Sequence, residues 1–108
     1  MSTITATLHP LLSVDELFEG EIKSATLPDG TKVALYNLHG GYFVTDDACT
    51  HESASLSDEG MVDGDNVVCG WHLCGFDIAT GAATASPCSE PLRTYPTRVV
   101  DGVLHVEL

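Results

Sequence analysis

Two short stretches, Cys49-Thr50-His51 and Cys69-Gly70-Trp71-His72, decide how this chain folds and what it can bind. Each stretch presents one thiol and one imidazole, and 17 residues, 52–68, separate them. A single residue between Cys49 and His51 is too little for both side chains to close comfortably on one tetrahedral ion. The spacing suits two neighbouring metal ions. The four side chains therefore predict two irons bridged by sulfides, with cysteines on one iron and histidines on the other.

A structural zinc site is the alternative interpretation, because two cysteines and two histidines are also a common zinc-binding set. Zinc fingers usually present their ligands in the order Cys-Cys-His-His with wider spacing inside the pairs. The order here is Cys-His-Cys-His. A zinc-stabilised interaction module remains open at this point, and it would be colourless.

The rest of the sequence consists mainly of short strand-like segments between turn residues. Pro28-Asp29-Gly30-Thr31 predicts a hairpin turn between residues 21–27 and 32–38. Asp101-Gly102 predicts a type I′ turn near the C-terminus, and Gly40-Gly41 begins another hairpin. One short helical turn with a capping box is predicted at residues 13–16. This pattern indicates an all-β sandwich or small barrel.

The sequence resembles the Rieske-type [2Fe-2S] ferredoxins, and in particular the ferredoxin components of bacterial aromatic ring-hydroxylating dioxygenase systems. The likeness rests first on Cys-x-His followed, after a similar interval, by Cys-x-x-His. It extends to residues 56–60, to Phe76-Asp77-Ile78 with Thr80-Gly81, and to Ser86-Pro87, which matches the family's proline loop. It implies a single Rieske domain over residues 1–108, an antiparallel β-sandwich with a cluster-binding subdomain.

The resemblance also implies one [2Fe-2S] cluster of Rieske type, held by Cys49, His51, Cys69 and His72. A protein of this kind passes single electrons from an NAD(P)H-dependent flavoprotein reductase to the terminal oxygenase, and it catalyses no reaction alone. The alternative function is a small Rieske subunit of another oxidoreductase complex, such as a nitrite reductase. An oxygenase's own Rieske portion does not fit, because too few residues follow the motif to build a mononuclear-iron domain.

Several positions differ from the respiratory branch of the family. Ala54 and Trp71 stand where that branch has its disulfide cysteines. Cys74 and Phe76 replace a serine and a tyrosine whose hydroxyls donate hydrogen bonds to cluster sulfurs there. Without these two donors the reduction potential is expected near the lower end of the Rieske range, roughly −150 mV.

Two cysteines remain beyond the proposed ligands, and three residues near the motif predict a partner surface. Cys74 and Cys88 are expected to be small, partly buried thiols, since a reducing cytoplasm disfavours a disulfide. Cys74 could then donate a weak S–H hydrogen bond to the cluster. Trp71 and Leu73 are expected to form an apolar docking patch around the histidines, with Pro87 on its rim.

The composition limits the partners and the location. The 108 residues include 16 acidic but only four lysine or arginine side chains, for a net charge of −12. This charge argues against binding nucleic acid and favours a redox partner with a basic face. No signal peptide or membrane span is recognised, so the expected location is the cytoplasm, with no membrane partner. The remaining histidines, His9, His39 and His105, are expected to be ordinary surface or strand residues.

Overall fold

The computed structural model of the chain describes residues 7–49, 55–69, 74–85 and 90–108. These residues form eleven strands: β1 (Leu8–Ser13), β2 (Ile22–Thr26), β3 (Lys32–Leu38), β4 (Gly41–Asp46), β5 (Gly60–Asp63), β6 (Asn66–Cys69), β7 (Gly75–Asp77), β8 (Ala83–Ala85), β9 (Thr94–Tyr95), β10 (Thr97–Val100) and β11 (Val103–Glu107). A 3₁₀ turn spans Val14–Glu16 and the helix α1 spans Leu56–Glu59. Neither of these helical segments of the described chain could cross a membrane. The predicted all-β class is confirmed.

The described strands make three antiparallel sheets. An outer sheet has the order β1-β11-β10, a middle sheet has the order β2-β3-β4-β9, and the third sheet has the order β5-β6-β7-β8. The third sheet contains Cys69 and is separate from the other two, so it corresponds to the predicted cluster-binding subdomain.

Strand β3 packs on both of its faces. Ala34 and Tyr36 belong to one buried cluster, together with residues of the third sheet. Val33 and Leu35 alternate with them and belong to a second cluster, together with residues of the outer sheet. Because successive side chains of a strand point to opposite faces, the middle sheet is the layer between the two cores.

The predicted hairpins are confirmed. Asp101 and Gly102 both have positive φ, 52° and 75°, which is the type I′ conformation that Asp-Gly favours. The turn between β2 and β3 has Gly30 at φ 92°, and the Thr31 amide donates to the Asp29 carboxylate at 2.9 Å. Antiparallel pairing of β2 with β3 and of β10 with β11 follows from these turns.

The helical elements differ from the sequence prediction. The turn after Ser13 exists, but the Ser13 side chain makes no capping hydrogen bond, so the predicted capping box is wrong. Ser13 is already the last residue of β1 and pairs with Val103, and the turn that follows is only three residues long. The short helix α1 was not predicted, because its four residues are too few to show a helical pattern.

Candidate metal centre

The two cysteines of the predicted motif are buried in the same hydrophobic core. Cys49 follows β4 by three residues, and Cys69 is the last residue of β6. Their exposed fractions are 4% and 1%, neither is in a disulfide, and both belong to the core between the middle and third sheets. Cysteine thiols that are not oxidised to a disulfide are suitable donors for a thiolate-ligated metal site.

The surroundings of these cysteines are apolar. Phe76, Leu56 and Val67 are completely buried in the same cluster. Tyr36 is also buried there, and its hydroxyl shares a 2.9 Å hydrogen bond with Thr45 Oγ1. Burial raises the pKa of Tyr36 well above its ordinary value, so this side chain stays neutral beside the cysteines. An apolar shell of this kind excludes solvent from a metal site and influences its redox potential.

The second ligand stretch and the segment that includes Ser86-Pro87 are both closed at their bases by backbone contacts. The Cys69 amide donates to the Cys74 carbonyl at 2.7 Å, across residues 70–73. The Leu92 amide donates to the Gly81 carbonyl at 2.7 Å, which joins the two ends of the segment that includes Ser86-Pro87. Cys69, Cys74 and Leu92 all belong to the core cluster that contains Cys49, so these bases converge on one region.

The first ligand stretch is closed by Asp47. An isolated antiparallel bridge pairs Ala48 with Ser55, and the Leu56 amide donates to the Asp47 carbonyl at 2.7 Å. As a whole residue, Asp47 is only 2% exposed. Its Oδ2 accepts a 2.5 Å hydrogen bond from Ser55 Oγ, and its Oδ1 accepts a 2.8 Å bond from the Ser57 amide. Nothing in the sequence pattern sets Asp47 apart from the other acidic residues of the chain.

Asp47 remains ionised despite its burial. Burial alone would raise the pKa of Asp47, but hydrogen bonds from Ser55 and Ser57, with the charge of Lys32, hold it below its ordinary value. Lys32 Nζ lies 3.6 Å from Asp47 Oδ2 and 3.9 Å from Asp58 Oδ2. A fixed negative charge therefore lies two residues from Cys49.

The predicted histidine ligands, His51 and His72, lie outside the described residues, as do Trp71, Leu73 and Pro87 of the predicted docking patch. Within the described ranges, no group of three or more His, Cys, Asp or Glu side chains could hold a metal ion. Those ranges contain two of the four predicted ligands, Cys49 and Cys69.

The other three histidines lie in ordinary positions, as predicted. His9 is on β1, and His105 is on β11 with its Nδ1 2.9 Å from the Val103 carbonyl. His39 lies in the turn between β3 and β4, and its side chain is 79% exposed.

Cys74 corrects one sequence prediction. It is completely buried and disulfide-bonded, whereas neither Cys49 nor Cys69 is in a disulfide. The expectation of a Cys74 thiol is therefore wrong, and a disulfide sulfur has no hydrogen to donate to a cluster. The prediction relied on the redox compartment, but pairing also requires the right distance between Cβ atoms, which sequence does not show. Cys88, the remaining cysteine, lies outside the described residues.

Strand β9 is attached to the end of β4 beside this region. The Tyr95 hydroxyl donates a 2.5 Å hydrogen bond to Asp46 Oδ1, and the Arg93 guanidinium lies 4.8 Å from the centre of the Tyr95 ring. Burial, with the Asp46 hydrogen bond and charge, raises the pKa of Tyr95 to about 12. These contacts connect the residues that follow the segment containing Ser86-Pro87 to β4, the strand that precedes Cys49.

Comparison with known proteins identifies the family. Residues 7–96 match the Rieske [2Fe-2S] domain. The p-cumate 2,3-dioxygenase system ferredoxin component of Pseudomonas putida is 46% identical over 98 residues, which cover 91% of this chain and 83% of that protein. The Sphingomonas yanoikuyae B1 ferredoxin has 39% identity and a TM-score of 0.89 over 94% of this chain and 99% of that one. The chain belongs to the Rieske [2Fe-2S] family.

Two further structural relatives bear on function. The first comes from a complex of reduced oxygenase and oxidized ferredoxin in carbazole 1,9a-dioxygenase; it has 31% identity, a TM-score of 0.86, and coverage of 93% of this chain and 92% of that one. A putative NADH-dependent nitrite reductase small subunit from Mycobacterium tuberculosis has a TM-score of 0.86, covers 97% of each chain, and is only 22% identical. The second likeness shows the fold alone.

The described residues fit the cofactor of this family. Its cofactor is a Rieske-type [2Fe-2S] cluster, in which one iron is bound by two cysteine thiolates. Cys49 and Cys69 are both buried in one hydrophobic core and neither is in a disulfide, so the two thiols are suitable donors for this iron.

Proposed function

We propose that this protein is an electron carrier that delivers single electrons to the terminal oxygenase of a multicomponent aromatic ring-hydroxylating dioxygenase. The observation that supports this most directly is the burial of Cys49 and Cys69, neither of which is in a disulfide, in one hydrophobic core of a Rieske fold. Similarity to the p-cumate dioxygenase ferredoxin component supports the same assignment.

Cys49 and Cys69 hold the inner iron in this proposal, and His51 and His72 hold the outer one. The bound cluster supplies a site that accepts and releases one electron at a time. The residues of the chain determine where this happens: the apolar core around Phe76 excludes water from the cysteine side. His51 and His72 provide the edge by which the electron leaves, and Trp71 and Leu73 contribute an apolar contact for the partner.

The proposed partners are an NAD(P)H-dependent flavoprotein reductase, as the electron donor, and a terminal Rieske oxygenase, as the acceptor. The carbazole dioxygenase ferredoxin, whose structure was determined in complex with its oxygenase, supports the second partner. The cytoplasm is the proposed location, because such a reductase draws on cytoplasmic NAD(P)H. Neither nucleic acid nor membrane is a proposed partner, given the net charge of −12.

A subunit of a nitrite reductase complex is the weaker alternative. The relative of that description is 22% identical, so it supports no more than the fold. The two functions predict different behaviour: a shuttle dissociates from its oxygenase between electron transfers, whereas a subunit remains bound in fixed stoichiometry. Gel filtration with each purified partner distinguishes them.

Absorption and EPR spectra of the purified protein, before and after dithionite, test the proposed site. We expect a brown oxidised form that bleaches on reduction and gives a rhombic signal at a lower average g than all-cysteine clusters. His51→Gln and His72→Gln should abolish that signal. His39→Gln, at an exposed turn, is the matched control and should preserve it. A colourless wild-type protein with one zinc and no sulfide would overturn the electron-carrier assignment.

Reconstitution tests the partners. The protein mixed with a flavoprotein reductase and an aromatic-ring oxygenase should support product formation only when all three components are present. Equal product formation without this protein would contradict the proposed role.

A further inference from the structure

Asp47 is the buried carboxylate in the described part of the chain that lies nearest in sequence to a proposed ligand. Its backbone and its side chain both make hydrogen bonds to neighbouring segments. The Asp47 amide donates to the Lys32 carbonyl at 3.1 Å, while its own carbonyl accepts from Leu56. Its carboxylate accepts from Ser55 and from the Ser57 amide. One residue therefore joins β3 to both ends of the first ligand stretch.

The two ends of that stretch meet at this carboxylate. Ala48, before the stretch, is paired with Ser55, after it. The side-chain bonds to Ser55 and Ser57 occupy both oxygens of Asp47 and fix the start of α1 against the end of β4. Hydrogen bonds to a charged acceptor are shorter and stronger than those between neutral groups. They offset the cost of burying the charge, which would otherwise be large.

Asp47 and Asp58 both place a carboxylate near Lys32, but they differ in how deeply that carboxylate is buried. Both carboxylates lie within 4.0 Å of Lys32 Nζ, at 3.6 and 3.9 Å. The Asp58 side chain, however, is 73% exposed, whereas the Asp47 side chain is 3% exposed. The exposed charge is screened by water and salt, whereas the buried charge is screened much less. A pairing with Lys32 alone would not require Asp47 to be buried.

We propose that Asp47 is a positioning residue for the iron–sulfur site: its carboxylate closes the base of the first ligand stretch through Ser55 and Ser57, and so holds Cys49 in place for the metal. The same buried negative charge disfavours the added electron, and it thereby keeps the reduction potential low. This inference rests on the proposed function, because it takes Cys49 to be a ligand. It concerns how the ligand is held, which the family assignment does not specify.

The experiment compares three variants of the holoprotein with wild type. Asp47→Asn removes the charge but retains one oxygen for the Ser57 amide. Ser55→Ala retains the charge and removes the side-chain bond to Asp47. Asp58→Asn is the matched control, since it removes an equal charge near the same lysine without touching the loop base. Two quantities are measured: the reduction potential by voltammetry, and the rate at which visible absorbance is lost in the presence of an iron chelator.

We expect Asp47→Asn to raise the reduction potential and to speed cluster loss by roughly tenfold, the low end for residues that orient metal ligands. Ser55→Ala should speed cluster loss in the same direction while leaving the potential close to wild type. Asp58→Asn should leave both quantities near their wild-type values. If Asp47→Asn fails to assemble a cluster, the comparison of Ser55→Ala with Asp58→Asn decides the proposal.

Cluster loss at the wild-type rate in Asp47→Asn and Ser55→Ala would overturn the positioning role. A potential in Asp47→Asn that shifts no more than in Asp58→Asn would overturn the charge effect. Failure of the proposed function looks different, because the wild-type protein itself would then show no Rieske spectrum. If the wild-type spectrum is normal and all three variants match wild type in reduction potential and in the rate of cluster loss, only the role of Asp47 is rejected.

Discussion

At the scale of single residues, polar side chains are buried in and beside the core that contains Cys49. Tyr36, Thr45 and Asp47 are all buried. No buried side-chain nitrogen or oxygen among the described residues lacks a hydrogen-bond partner. Satisfied polar groups in an apolar core fix a single arrangement of their neighbours. Changes of one atom or one charge at such positions should therefore produce measurable effects.

The Tyr95 hydroxyl should make stability depend on alkaline pH. Its pKa is raised from 10.0 to about 12, so the neutral form contributes stability that is complete below pH 10 and is lost as the pH rises towards 12. Tyr95→Phe should lower stability at neutral pH and make it less pH-dependent in that window. Chemical denaturation at pH 8, 10 and 11 provides the measurement. An unchanged alkaline dependence in Tyr95→Phe would contradict this assignment.

Phe76 offers a test of the low potential. It is completely buried in the hydrophobic core that contains Cys49, and it stands where the respiratory branch has a tyrosine. We expect Phe76→Tyr to raise the reduction potential, because a hydroxyl that donates to a cluster sulfur stabilises the added negative charge. Voltammetry measures the shift, and Phe43→Tyr, at a half-buried position on β4, is the control. No shift with an intact cluster would reject the explanation.

At the scale of elements, the separate third sheet depends on close backbone contacts. Strands β5 to β8 form that sheet, and in the turn between β7 and β8 the Gly81 carbonyl accepts a 2.7 Å hydrogen bond from the Leu92 amide, two residues before β9 of the middle sheet. Gly81 has φ 80°, and a Cβ on it would lie 2.1 Å from the Leu92 carbonyl oxygen. The glycine is required here by conformation and by space together.

Two glycine substitutions separate these requirements. Gly64, in the turn between β5 and β6, also has positive φ, but a Cβ there would meet nothing within 4 Å. Gly64→Ala should lower the free energy of unfolding by about 1 kcal/mol. Gly81→Ala should lower it by several times that amount, roughly 3 kcal/mol, because the backbone must also move. Denaturant unfolding of both variants tests this; equal losses would show that the contact with Leu92 is unimportant.

At the scale of the whole molecule, charge is distributed unevenly. The lysines and arginines are Lys23, Lys32, Arg93 and Arg98, so residues 33–92 contain none. Nine of the 16 acidic residues fall within that interval, which includes both ligand stretches and the third sheet. A negative field around the proposed electron-transfer site would attract a partner with a basic face.

Salt should therefore slow electron transfer to the oxygenase. We expect the second-order rate constant to fall several-fold between about 0.01 and 0.15 M ionic strength, as the screening length shortens from roughly 30 to 8 Å. The double variant Asp63→Asn/Asp65→Asn, at an exposed turn of the third sheet, should reduce both the rate at low salt and its salt dependence. Asp15→Asn/Asp101→Asn is the charge-matched control. Stopped-flow kinetics in which both double variants behave alike would exclude steering by the third sheet.

The sequence by itself determined the family, its cofactor and the local turns. Ligand type and spacing are local properties, so Cys49-Thr50-His51 and Cys69-Gly70-Trp71-His72 predicted the family's cluster without any fold. The Asp-Gly turn was predicted equally well, since its positive φ values depend on two adjacent residues.

Only the tertiary structure decided the roles of residues whose partners are distant in the chain. Burial of β3 on both faces, the disulfide at Cys74 and the bonds of Asp47 to Ser55 and Ser57 all depend on which segments lie side by side. Asp47 resembles many surface acids in the sequence, and only its 2% exposure sets it apart. The physical reason is that burial and hydrogen bonding are set by neighbours in space, which local sequence patterns do not specify.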